Sequence, residues 1–130
     1  MIVEIAGLAF DVRVNGVDFS SRLLERYEGF LTESANAPFS LTFTVDPDRH
    51  PERRHPTYVD NPPLTARGSL AAVSVAGEGF EGVLDFELGR GSATIPDSLA
   101  HLDLFVRIAL GGLLLREGST LLHSAAVVRD

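Results

Sequence analysis

Acidic, imidazole and guanidinium side chains collect in a few places where they could do chemistry. Between residues 46 and 63, His50 and His55 stand with Asp46, Asp48 and Glu52, a donor set that suits Zn²⁺ or Mn²⁺. Pro51 and Pro56 directly follow the two histidines, however, and no i, i+4 spacing presents both rings together. A solvated irregular loop is therefore the expectation, with no metal site. Arg49, Arg53 and Arg54 in the same stretch could grip a phosphate or an acidic peptide, although solvated arginines are the plainer reading. Glu81, Asp85 and Glu87 fall on one face of a predicted strand, where paired carboxylates could move protons or hold a cation; a wet sheet face is expected instead. His123 and Ser124 are adjacent, so on a strand they point to opposite faces and do not form a base–nucleophile pair. Gly77, Gly79, Gly89 and Gly91 read as hairpin punctuation, because no helix follows them to complete a phosphate cradle.

Composition bounds what these groups can serve. The 130 residues fit one domain, and 45% hydrophobic with 22% charged content is that of a globular chain. The net charge is −7 and all 11 basic residues are arginine, without a basic stripe, which disfavours nucleic acid and anionic membrane surfaces as partners. With no cysteine there are no disulfides, thiolate metal sites or thiol nucleophiles. The opening Met1-Ile2-Val3-Glu4 lacks a basic segment followed by an apolar one, so a cytoplasmic location is expected. Residues 99–115 are the most apolar run, but Asp103 and Arg107 interrupt it, which predicts a core helix rather than a membrane span.

The elements that would position these residues follow from periodicity. Leu8, Phe10, Val12 and Val14 alternate as a strand, and Asn15-Gly16 supplies a turn. Residues 18–29 predict a helix capped by Asp18 or Ser20, with an apolar stripe of Leu23, Leu24, Tyr27, Phe30 and Leu31. Phe39, Leu41, Phe43 and Val45 form a second strand. The prolines at 47, 51, 56, 62 and 63 then predict a long exposed loop. Three short strands at 70–75, 80–88 and 92–95 argue for an antiparallel meander. Pro96-Asp97-Ser98 opens a second helix whose apolar residues surround most of its circumference, so it is buried on more than one side. Gly111-Gly112 within it suggests a close packing contact, and Gly118 ends it. Residues 120–128 are apolar on both faces, as in a central strand. The fold class is α+β: an antiparallel β-meander with two helices, the second buried and followed by a C-terminal core strand. It forms a single domain over 1–130, strand-rich with one helix over 1–96, then a buried helix and strand over 97–130.

The run LFVRIALGGLLLREG at 104–118, followed by LLHSAAVVRD at 121–130, resembles the segment just before the phosphate-binding loop of HPr kinase/phosphorylase-like proteins, which are P-loop kinases with a phosphoenolpyruvate-carboxykinase-like core. Ile5-Ala6-Gly7-Leu8 and the stretch from Arg26 to Leu31 fit the family's looser upstream pattern. The resemblance implies a serine or small-molecule hydroxyl kinase using ATP and Mg²⁺, and it carries one active-site residue, His123, onto this chain. Without the resemblance, His123 is an ordinary strand histidine satisfied by one hydrogen bond. No G-x-x-x-x-G-K-[ST] motif and no lysine are present. The expectation is thus the N-terminal part of such a kinase, catalytically empty alone, holding no cofactor itself and partnered by a C-terminal kinase core or a second copy, with a peptide or protein as a possible substrate. The alternative is a stand-alone peptide- or protein-binding or assembly module.

Overall fold

The computed structural model describes residues 1–16, 19–33, 36–49, 64–77 and 79–119. In chain order these form β1 (Ile2–Ile5), β2 (Leu8–Asn15), α1 (Ser20–Tyr27) with a 3₁₀ turn (Glu28–Phe30), β3 (Phe39–Val45), β4 (Leu64–Gly68), β5 (Ala72–Gly77), β6 (Phe80–Asp85), β7 (Arg90–Ile95) and α2 (Leu99–Arg116). The strands make one sheet in the order β1-β2-β3-β7-β6-β5-β4. The fold is α+β, and the expected meander is present, with β4, β5, β6 and β7 joined antiparallel in sequence. The sheet as a whole is mixed, because β3 lies parallel to both β2 and β7. The β2–β3 join has a physical cause: α1 is a crossover on one face, and a crossover returns the chain parallel to where it left. The expected strand over 120–128, with His123 and Ser124, lies outside the described residues, as do Asp18, His50, Glu52, Arg53, Arg54 and His55.

Alternation sorts the sheet into two unlike faces. Phe10 and Val12 of β2, Phe39, Leu41, Phe43 and Val45 of β3, Ala93 and Ile95 of β7, and Phe80 and Leu84 of β6 share one buried face. Burying each of the larger side chains contributes roughly 1.5–3 kcal/mol. Both helices pack into this core. Leu23 and Tyr27 come from α1; Leu102, Phe105, Val106, Ala109 and Leu110 come from α2. Phe105 meets Phe43 edge to face at 5.6 Å between ring centroids. The buried residues of α2 all fall between His101 and Leu110, whereas Leu113 and Leu114 are only partly covered and Leu115 is exposed. Among the described residues, no helix is long and apolar enough to cross a membrane.

Several boundaries differ from the periodic reading. β1 pairs with β2 through a two-residue turn in which Ala6 (φ 53°) and Gly7 (φ 78°) both have positive φ. That geometry normally selects Asn-Gly, so Ala-Gly hides the hairpin. β4 lies between the expected loop and the first expected meander strand, and because all five of its residues are exposed no alternation marks it. β5 begins at Ala72 because Leu70 and Ala71 form a tight turn, closed by the Ser69 N–H donating to the Ala72 carbonyl at 2.9 Å. β6 stops at Asp85, whose Oδ1 accepts from the backbone N–H groups of Glu87 (3.1 Å) and Leu88 (2.9 Å). Gly79 and Gly89 occupy turns, but Gly77 and Gly91 are strand residues. A Cβ on Gly91 would lie 2.6 Å from Leu84 Cδ2, so close packing accounts for that glycine.

The paired glycines of α2 have different tasks. A Cβ on Gly112 would run into the Phe86 ring, whereas one on Gly111 would meet nothing. Gly111→Ala should therefore stabilise by about 0.5–1 kcal/mol through helix propensity, and Gly112→Ala should destabilise by about 1–3 kcal/mol through overpacking. Urea denaturation of the two variants checks this. Equal shifts of the same sign would contradict the packing contact. Ala6→Gly should add about 1 kcal/mol by relieving the left-handed backbone, read as a raised urea midpoint.

Candidate functional site

The described structure offers two polar constellations. The first lies between the helices. Asp103 sits on the buried side of α2, and α1 supplies its partners. The Tyr27 hydroxyl donates to Asp103 Oδ1 at 2.7 Å, while Arg26 donates to Oδ2 through Nε at 2.9 Å and Nη2 at 2.7 Å. His101, close by on α2, is also buried and packs edge-on against Phe80 at 5.3 Å. Outside this cluster, Arg22 ties α1 to the approach to α2, donating to Asp97 Oδ1 at 2.6 Å and lying over the Phe19 ring at 4.7 Å. A buried carboxylate with three charge-assisted or hydroxyl donors is satisfied rather than poised for proton transfer, so the Asp103 cluster is a latch. Burial first, then the Asp103 carboxylate, pushes the Tyr27 phenol far above its ordinary value.

The second constellation is the sheet face opposite the helices. Register places Arg13, Thr42, Ser92, Val83, Ser74 and Arg67 in one row across six strands. Ser40 and Arg90 lie in the row on one side, and Thr44 and Thr94 in the row on the other. Two adjoining shallow depressions of about 500 and 410 Å³ follow these rows and share Thr42, Val83 and Ser92. Their hydroxyls can both donate and accept, and Val83, 48% exposed, supplies an apolar centre. Such a surface is suited to binding. Among the described residues, no histidine lines either depression.

The sequence candidates separate on this frame. Glu81 and Asp85 share the open face, but Glu87 lies beyond the strand in the turn that Asp85 caps. Glu81 accepts from Arg49 Nη2 at 2.7 Å, so that pair is an ion pair on the sheet margin. This contact, chiefly, raises the Arg49 pKa. Asp46 is also engaged locally: it accepts from the Asp48 N–H at 3.1 Å and from Arg49 Nε at 3.3 Å. At the opposite margin, the Arg13 guanidinium holds the Asp11 carboxyl below the usual carboxylate range. No group of three or more potential metal ligands gathers among the described residues. Sequence reasoning misses the Asp103 latch. In the sequence Asp103 shows only as a break in an apolar run, and Tyr27 only as part of an apolar stripe. No family model, curated protein or solved structure matches the chain.

The latch makes stability depend on alkali. Below about pH 10 both folded and unfolded chains keep the Tyr27 proton. Above that value the unfolded chain releases it while the folded chain holds it, so stability falls as pH rises toward the raised folded value. Tyr27→Phe should cost about 1–3 kcal/mol near neutrality, since buried Asp103 loses a donor, and should flatten the alkaline decline. Urea midpoints near neutrality and above pH ~10 check both; an unchanged alkaline slope would remove Tyr27 from the account.

Proposed function

We propose that this chain is the N-terminal part of an HPr kinase-like, ATP-dependent kinase that phosphorylates a serine or small-molecule hydroxyl in the cytoplasm. One observation supports the reading above others. The resembling run at 104–118 folds as a single helix seated on the sheet, and its end is well defined: Gly118 has φ 75°, and the Ser119 N–H donates to the Leu114 carbonyl at 2.8 Å. The chain thus leaves the helix just ahead of Leu121-Leu122-His123, the order of elements that the family resemblance implies.

On this reading the nucleoside triphosphate and its Mg²⁺ are not held at the start of α2. The lead into α2 carries Asp97, whose carboxylate holds Arg22, so a negative charge sits where a phosphate would need N–H donors. No lysine exists to reach terminal phosphates. ATP and Mg²⁺ therefore belong, on this reading, to a kinase core outside the 130-residue chain. The chain itself supplies the scaffold that fixes the exit of α2, and His123 is its candidate active-site residue. A second reading, a peptide- or protein-binding module, is favoured by the uncovered hydroxyl face around Thr42 and Ser92.

The coding sequence downstream separates the two. The kinase proposal expects G-x-x-x-x-G-K-[ST] within about thirty codons; its absence would leave the binding module. In a protein carrying that loop, His123→Ala should lower turnover on the order of 10²-fold with ATP affinity retained. The 130-residue chain alone should show no heat on calorimetric titration with ATP and Mg²⁺. Stoichiometric binding there would refute the view that it is catalytically empty.

A further inference from the structure

The two edges of the sheet are finished differently. At one edge, β1 is covered: Val3 bridges Leu31, and the Thr32 N–H donates to the Ile2 carbonyl at 3.2 Å. At the other edge, β4 pairs with β5, no other described strand adjoins it, and all five of its residues are exposed. The Ser69–Ala72 bond sets the phase of the β4–β5 ladder. Antiparallel pairing alternates, so Thr65 and Arg67 bond inward to β5, while the N–H and C=O groups of Leu64, Ala66 and Gly68 point outward. Of the usual guards against edge pairing, β4 holds only Arg67; it has no proline, lysine or inward charge.

We infer that β4 pairs antiparallel with β4 of a second copy of this chain, about a two-fold axis at Ala66. The strand is complementary to itself in that register. Ala66 meets Ala66 of the other copy, Leu64 meets Gly68 and Thr65 meets Arg67, so the large Leu64 side chain faces a glycine and no charge directly opposes its like. Every outward backbone group then exchanges bonds with its opposite number. An unrelated peptide would gain the backbone bonds but not this matched order, which favours a second copy as the occupant. The two-fold runs perpendicular to the sheet, so both helix layers lie on one side and the two hydroxyl faces join on the other. Because the edge is short, the pair is weak, on the order of micromolar to millimolar in dissociation constant. The two Arg67 side chains lie on the diagonal, roughly 7–8 Å apart, and each copy carries a net charge of −7, so added salt strengthens the pairing.

Sedimentation equilibrium across about 10 µM to 1 mM, a span that brackets such affinities, tests the inference. The wild-type chain should approach a dimer. Ala66→Pro removes an outward N–H that β5 does not use, so it should give a monomer with unchanged circular dichroism and melting. Thr65→Glu, facing Arg67 of the other copy at two symmetric positions, should tighten the dimer by about tenfold, and Thr65→Arg should weaken it by about as much. These charge variants decide the matter even if the proline variant fails to fold. A wild-type monomer throughout, a dimer indifferent to Ala66→Pro, or equal behaviour of the two Thr65 variants would each overturn the pairing.

Discussion

The architecture depends on covering one face of the sheet and leaving the other wet, and Asp103 shows how tightly that coverage is tied together. A carboxylate removed from water is costly unless its oxygens are satisfied. Here α1 brings Tyr27 and Arg26 to α2, so the two helices are held in one relative position by groups 76 and 77 residues apart in sequence. Apolar packing of Phe105, Leu102 and Val106 would tolerate small slides of α2; the directional bonds to Asp103 do not. With α2 fixed, Gly112 comes to rest on Phe86 and the helix reaches across to the meander.

The uncovered face is unusual for its centre. Parallel strands are generally buried on both sides, yet β2, β3 and β7 run parallel while presenting Thr42, Thr44, Ser92 and Thr94 outward. Short hydroxyl side chains resolve this conflict. They retain strand propensity, hydrogen-bond water or a polar ligand equally well, and expose little apolar area. The Arg49–Glu81 pair closes one margin of that surface, and the Asp11–Arg13 pair lies at the other. Binding in the two depressions would thus be directed toward the hydroxyl rows and Val83.

Much of this is legible in the residues alone, for reasons that differ by element. β2 and β3 alternate cleanly because one side is oily and the other wet, and α2 announces itself by length and apolarity. The glycine pair signals a close approach, which Gly112 makes. β1 and β4 are not legible: one hides behind an Ala-Gly turn without the expected asparagine, the other lacks a buried face. The parallel joins depend on where the chain goes between elements, which periodicity does not encode. Nor does local pattern show that Asp103 and Tyr27 meet, since each matches its own helix and their union is a tertiary event. His123, the residue singled out by family resemblance, lies outside the described residues.

Anchoring is uneven across the sheet. β2, β3 and β7 are pinned by several large buried side chains apiece or by close-packed neighbours, whereas β5 contributes Val75 as its fully buried side chain and β4 contributes none. The far strands hold to the molecule mainly through their ladder to β6, with the Phe86–Gly112 contact and the Arg116 bond to the Leu70 carbonyl at 3.0 Å as cross-ties to the helix. Such a sheet does not open uniformly. Local unfolding begins where the cross-ties are fewest and travels inward, so the β4–β5 hairpin behaves as a low-energy foldon hinged on a rigid parallel centre.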